Sequence, residues 1–108
     1  MRNIKLRKTS IVGCYTTEKP MMPDFDDIIR FIYPDKSSIV VKVIAHPKDD
    51  CRGCKFYTTL GGSPYKQCTL FRTTRSGNMI QMCKVVYNRT NKFKWATLKP
   101  LEDLLEEL

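Results

Sequence analysis

What the chain lacks narrows its reading first. No apolar run approaches the roughly 18–20 residues that a membrane-spanning helix needs. The basic start Met1-Arg2-Asn3-Ile4-Lys5-Leu6-Arg7-Lys8 leads into no hydrophobic signal core. Both features point to a cytoplasmic protein without a membrane partner. Histidine is down to one residue, His46, and the carboxylates read mostly as helix caps or solubilising charge. That leaves no acid–base pair for hydrolysis, so a non-enzyme is expected. Gly61-Gly62-Ser63-Pro64 lacks the closing Gly-Lys-Ser/Thr of a phosphate-cradling loop and reads as a turn. Internal repeats and low-complexity segments are missing too.

The scarcity that says most is one of charge. Residues 51–99 contain no Asp or Glu, yet carry Arg52, Lys55, Lys66, Arg72, Arg75, Lys84, Arg89, Lys92, Lys94 and Lys99. The acids lie outside, chiefly at Asp24, Asp26, Asp27, Asp35, Asp49, Asp50 and the C-terminal Glu102, Asp103, Glu106 and Glu107. With a net charge of +8, such segregation polarises the surface field. Between Lys92 and Leu98, lysines alternate with Phe93 and Trp95, which puts the two types on opposite faces of a strand. A solvated face above a core face explains this pattern. So does a basic sheet that tracks a phosphate backbone. The candidate nucleic-acid contacts are Lys55, Arg72, Arg75, Lys84, Lys92 and Lys94, with Trp95, Tyr57 or Tyr65 to stack on single strands.

Four of the five cysteines fall in the same half. Cys51-Arg52-Gly53-Cys54 forms a C-x₂-C knuckle, and Cys68 and Cys83 follow after thirteen and fourteen intervening residues. Tetrahedral zinc takes four thiolates, and a closed four-sulfur site is structural. Gly53 relieves crowding in the knuckle, while Arg52 and Lys55 favour thiolates. Zinc on Cys51, Cys54, Cys68 and Cys83 is therefore the leading expectation, with Cys14 the odd thiol out. Buried free cysteines and disulfides stay open, as does His46 in place of a later cysteine. A redox role fits less well, since Lys55-Phe56-Tyr57-Thr58-Thr59 leans towards strand where a redox knuckle would start a helix.

A chain of 108 residues is expected to form a single domain over 1–108, with a core modest enough to benefit from a clasp. Partial alternation over 1–13 suggests a strand or basic arm. Residues 24–33 read as a short helix: Phe25, Ile28, Ile29 and Ile32 share one helical face, Asp24 caps it and Pro34 stops it. Ser38–Ala45, rich in β-branched residues, reads as a buried strand. Cys68–Arg72 is extended, a turn is expected at Ser76-Gly77-Asn78, and 79–87 with 92–98 reads as a hairpin. Residues 100–108 read as a C-terminal helix with proline in its first turn and Leu101, Leu104, Leu105 and Leu108 as an apolar stripe. That stripe packs on its own domain, docks on a partner or pairs two copies into a homodimer. The expected fold is α+β: a small antiparallel sheet with one helix in the N-terminal half and one at the C-terminus, clasped by the cysteines.

Residues Cys51, Gly53, Cys54, Phe56, Cys68, Cys83 and Phe93-Lys94 resemble a loose group of small four-cysteine proteins, with a C-x-G-C-x-F motif, from bacteriophages and Bacteroides-type mobile elements. The likeness covers roughly 51–95, and the cysteine separations here are longer than is usual for that group. It implies a phage-like setting more than a mechanism. Two functions follow from residues and resemblance together. One is a nucleic-acid-binding accessory protein; the other is a phage-type protein that binds and inhibits an acidic host protein.

Overall fold

In a computed structural model, which describes residues 1–45, 56–59, 65–87 and 93–102, the regular structure of the described residues is almost entirely β-strand. The strands are β1 (Arg2–Lys8), β2 (Tyr15–Thr17), β3 (Ile28–Ile32), β4 (Ser38–Ala45), β5 (Tyr57–Thr59), β6 (Lys66–Cys68), β7 (Leu70–Thr73), β8 (Met79–Gln81), β9 (Lys84–Tyr87) and β10 (Phe93–Pro100). Eight of them make one sheet in the order β8-β7-β2-β1-β3-β4-β10-β9, and β5 and β6 form a separate hairpin. The sheet is mixed. β1 runs parallel to β3 and β2 parallel to β7, while the other pairs are antiparallel.

The two edge strands of this sheet are neighbours in sequence. Only Met82 and Cys83 separate β8 from β9. An open sheet of eight strands would hold its edges roughly 34 Å apart. The three Cα–Cα steps from Gln81 to Lys84 span at most about 11 Å. The sheet must therefore curl until its edges almost meet. The linking residues stitch both sides: the Met82 amide donates to the Leu70 carbonyl at 3.1 Å, and the Cys83 carbonyl accepts from Ala96 at 2.8 Å.

Alternation fills the inside of the curl. Ile29 and Phe31 of β3, Val41 and Val43 of β4, and Ala96 and Leu98 of β10 point inward, joined by Leu6, Leu70 and Met82. Register stacks them in rows, with Ile29 opposite Val41 and Val43 opposite Leu98. Phe56, just before β5, packs edge-on to Phe31 with ring centroids 6.2 Å apart. Eight strands leave an interior that side chains alone can fill.

The α+β expectation is overturned. No helix is formed among the described strands and turns, beyond helical backbone at Leu101 and Glu102; residues 103–108 lie outside the described residues. Residues 24–33 are a turn followed by β3. Asp26 takes a left-handed φ of 68°, which a right-handed helix cannot contain. Its amide donates to the Val43 carbonyl at 2.7 Å, and the Asp27 carbonyl accepts from Val43 at 2.9 Å, so the turn is already tied to β4. The helical spacing misled because Ile28-Ile29-Arg30-Phe31-Ile32 satisfies a period of two as well. Ile29 and Phe31 are fully buried while Ile28 is 37% exposed. β-branched residues then favour the strand. Asp27 accepts from the Asp24 amide at 3.0 Å and pairs with Arg2, which makes it a turn brace.

The expected 79–87 strand is two strands broken at Met82-Cys83, one at each edge of the sheet. Within 1–13 the strand covers Arg2–Lys8, Ser38–Ala45 is a strand, 68–72 is shared between β6 and β7, and the turn at 76–78 is found, where Gly77 has φ 86° and the Thr74 amide donates to the Asn78 carbonyl. Among the described residues no helix is long and apolar enough to cross a membrane.

Candidate functional site

The outer wall of the curled sheet is the most distinctive surface. None of the ten strands contains Asp or Glu; every described acid sits in a turn, a loop or the stretch after β10. Basic side chains therefore project from the strands without acidic neighbours in the ladder. Register sets their positions. Ile28, Lys42 and Lys99 share one row across β3, β4 and β10, and Asn3, Arg30 and Val40 share the next across β1, β3 and β4. Lys5 is opposite Ile32 one row further on, with Ser38 beyond it. The inward positions of these strands are the core, so Lys5, Arg30, Lys42 and Lys99 lie on the outside. Lys5 is exposed and the other three are half-buried, as expected for long stems lying along a sheet.

Sequence reading did not single out this face. It looked for basic groups in 51–99, where acids are missing from the sequence, whereas the strands bring residues of both halves together. The signal was present in β1, where Asn3, Lys5 and Arg7 alternate with Ile4 and Leu6.

The sequence-derived nucleic-acid contacts separate. Arg75 is exposed on the β7–β8 turn and Lys84 is half-buried at the start of β9. Lys94 and Trp95 have their backbone in β10, while their side chains, together with Lys55 and Lys92, lie outside the described residues. Arg72 is placed in the interior at 4% exposure. Its Nη1 donates to the Met21 carbonyl at 3.2 Å and its Nη2 to the Lys84 carbonyl at 3.0 Å. Of the stacking candidates, Tyr65 is exposed beside Lys66, and Tyr57 is half-buried against the core.

The cysteines divide in a similar way. Cys51 and Cys54 lie outside the described residues, as does His46. Cys14, Cys68 and Cys83 are buried and form no disulfide with one another. Cys68 donates to the Leu70 carbonyl at 3.1 Å, and the Cys83 thiol points to Gln81 Oε1 at 4.0 Å. The neighbouring Cys83 thiol holds the Cys68 thiol below its ordinary value, opposed by burial and aided by the Leu70 and Met82 backbone. Cys14 is pushed up, first by burial and then by the nearby Cys68. Sequence spacing set Cys14 apart; the parallel pairing of β2 with β7 brings it close, since the Tyr15 amide donates to the Thr69 carbonyl at 2.9 Å. Among the described residues no group of three or more Cys, His, Asp or Glu is placed to hold a metal ion.

The carbonyl of Phe56 accepts from both the Thr69 amide and the Thr69 hydroxyl, each at 2.9 Å. In sequence, Cys54 precedes Phe56 by two residues, and Cys68 precedes Thr69 by one. Of the apolar C-terminal stripe, Leu101 is half-buried beside Ser38, Ile39 and Val40; Leu104, Leu105 and Leu108 lie outside the described residues.

No family model, curated protein or solved structure matches this chain.

Proposed function

We propose that the protein is a small nucleic-acid-binding module that grips the phosphate backbone with the outer face of its curled sheet. The observation that carries this reading is the shared outer face of Lys5, Arg30, Lys42 and Lys99 on strands free of acid. Phosphate contacts of this kind supply affinity independent of sequence. Adjacent strands lie about 4.8 Å apart, so Lys42 and Lys99, directly opposite on β4 and β10, set two cations close together. Exposed Tyr65 beside Lys66 offers a platform for an unpaired base, which favours single strands. The module binds and does not catalyse; its well-placed carboxylates, Asp27 and Asp35, brace turns.

Fluorescence anisotropy with a labelled single-stranded oligonucleotide tests this. Binding is expected at about 50 mM salt and should weaken steeply as salt rises. Failure to bind any DNA or RNA form at that salt would end the proposal.

The cysteine group serves this module as a clasp. We infer that zinc is held by Cys51, Cys54, Cys68 and Cys83, supported by the Cys68–Cys83 contact and by the Phe56–Thr69 bonds next to the knuckle. The role is structural, since a four-sulfur site keeps no open position for substrate. Native mass spectrometry on unchelated protein should show one zinc per chain, lost when Cys68 and Cys83 are replaced by Ser. A bare-chain mass with all thiols free would refute it.

A further inference from the structure

Arg72 does not belong to the basic face. Leu70 and Arg72 have the same parity on β7, so its side chain enters the interior, where the residue is 4% exposed. Two carbonyls accept from its Nη atoms, but Nε has no partner. Neutral carbonyls do not compensate a buried charge as a carboxylate does, and among the described residues the one ion pair is Arg2 with Asp27. Burial alone lowers the guanidinium's proton affinity.

The same arginine lines an open cleft of about 550 Å³. Pro20, Met21, Met22 and Ile80 give it apolar walls, and Thr73, Thr74 and Arg75 complete the lining. Its volume is that of an ordinary small-molecule site, and an apolar pocket with a few converging polar groups is the usual form of one. An arginine fork matches a planar carboxylate, and with two of its five donors held by carbonyls the remaining N–H groups suffice for one such acceptor.

We propose that this cleft binds a small organic acid, its carboxylate on Arg72 and its aliphatic or aromatic body against Met21, Met22 and Ile80. Exposed Arg75 on the β7–β8 turn adds a second positive charge at the site. The methionines adapt to the shape of the apolar body. None of the cleft residues belongs to the phosphate-gripping set Lys5, Arg30, Lys42 and Lys99, so the two proposals are tested by different variants.

Isothermal titration calorimetry on the full chain tests it, using butanoate, hexanoate, octanoate and 3-phenylpropanoate, with inorganic phosphate and 3-phenylpropanol as controls. At least one acid should bind, with the alcohol roughly tenfold or more weaker. Met22→Trp, at a residue 44% exposed, should block the cleft and abolish binding while leaving oligonucleotide affinity unchanged. Arg72→Met should abolish binding too; if that variant does not fold, Met22→Trp decides. The proposal is overturned if none of the acids binds, if the alcohol or phosphate binds as tightly, or if Met22→Trp binds like the parent protein.

Discussion

Asp26 is the residue at which two readings of the same sequence part. In a helix over 24–33 it would sit in the first turn, stabilised by the helix dipole. In the structure it has a φ of 68° and its amide is bonded to Val43. Asp26→Gly therefore has an expected sign. Glycine reaches this backbone region without strain, so chemical denaturation should show unchanged stability or a gain of up to about 1 kcal/mol. A helix would instead lose about 0.5–1 kcal/mol from glycine and the missing charge. A second turn residue, Asp35, adds a pH-dependent contribution. The Asp35 carboxylate accepts from the Ser37 hydroxyl at 2.6 Å and the Ser37 amide at 2.9 Å, and these bonds hold its carboxyl below the ordinary carboxylate value. A lowered folded-state value means that its contribution is present at neutral pH and fades as pH drops below about 3.8, the unfolded value. Asp35→Asn should lower stability at neutral pH and flatten the acid limb of a stability–pH curve, leaving the two proteins alike at the acid end.

Among the elements, β3 shows what was legible and what was not. That 24–33 was apolar on one side was plain, but Phe25, Ile28, Ile29 and Ile32 fit a helical stripe while Ile29 and Phe31 fit a strand. Short apolar runs carry this ambiguity, and β-branched content is what should decide it. The two periods make opposite claims about neighbouring isoleucines. A helix buries Ile28 and Ile29 together; β3 buries Ile29 and leaves Ile28 at 37% exposure. Ile29→Ala should cost about 2–5 kcal/mol and Ile28→Ala under about 1, read from urea midpoints. Comparable losses from both would contradict the strand. β4 was readable because eight residues of mostly β-branched side chains leave no helical alternative. The interior position of Arg72 was also readable in principle, since alternation from Leu70 points it inward, yet its charge drew attention to the surface instead.

At the scale of the whole molecule, the curl decides where charge ends up. Strand pairing across long separations, such as β1 with β3 in parallel, leaves no trace in local sequence pattern. The same holds for Met82-Cys83, which links two opposite edges and so turns an apparent single strand into the seam of the sheet. The charge segregation was visible along the chain, but its spatial form was not: acids are excluded from the strands, and basic residues from distant segments share a wall. The central claim is that this wall grips phosphates. It is tested most directly by the salt dependence of single-stranded oligonucleotide binding, compared between the parent protein and the double variant Arg30→Gln/Lys42→Gln. With two phosphate contacts removed, the slope of log affinity against log salt should become shallower by about 1.4, while Lys36→Asn on the β3–β4 turn leaves it unchanged. An identical slope in the double variant would contradict the account.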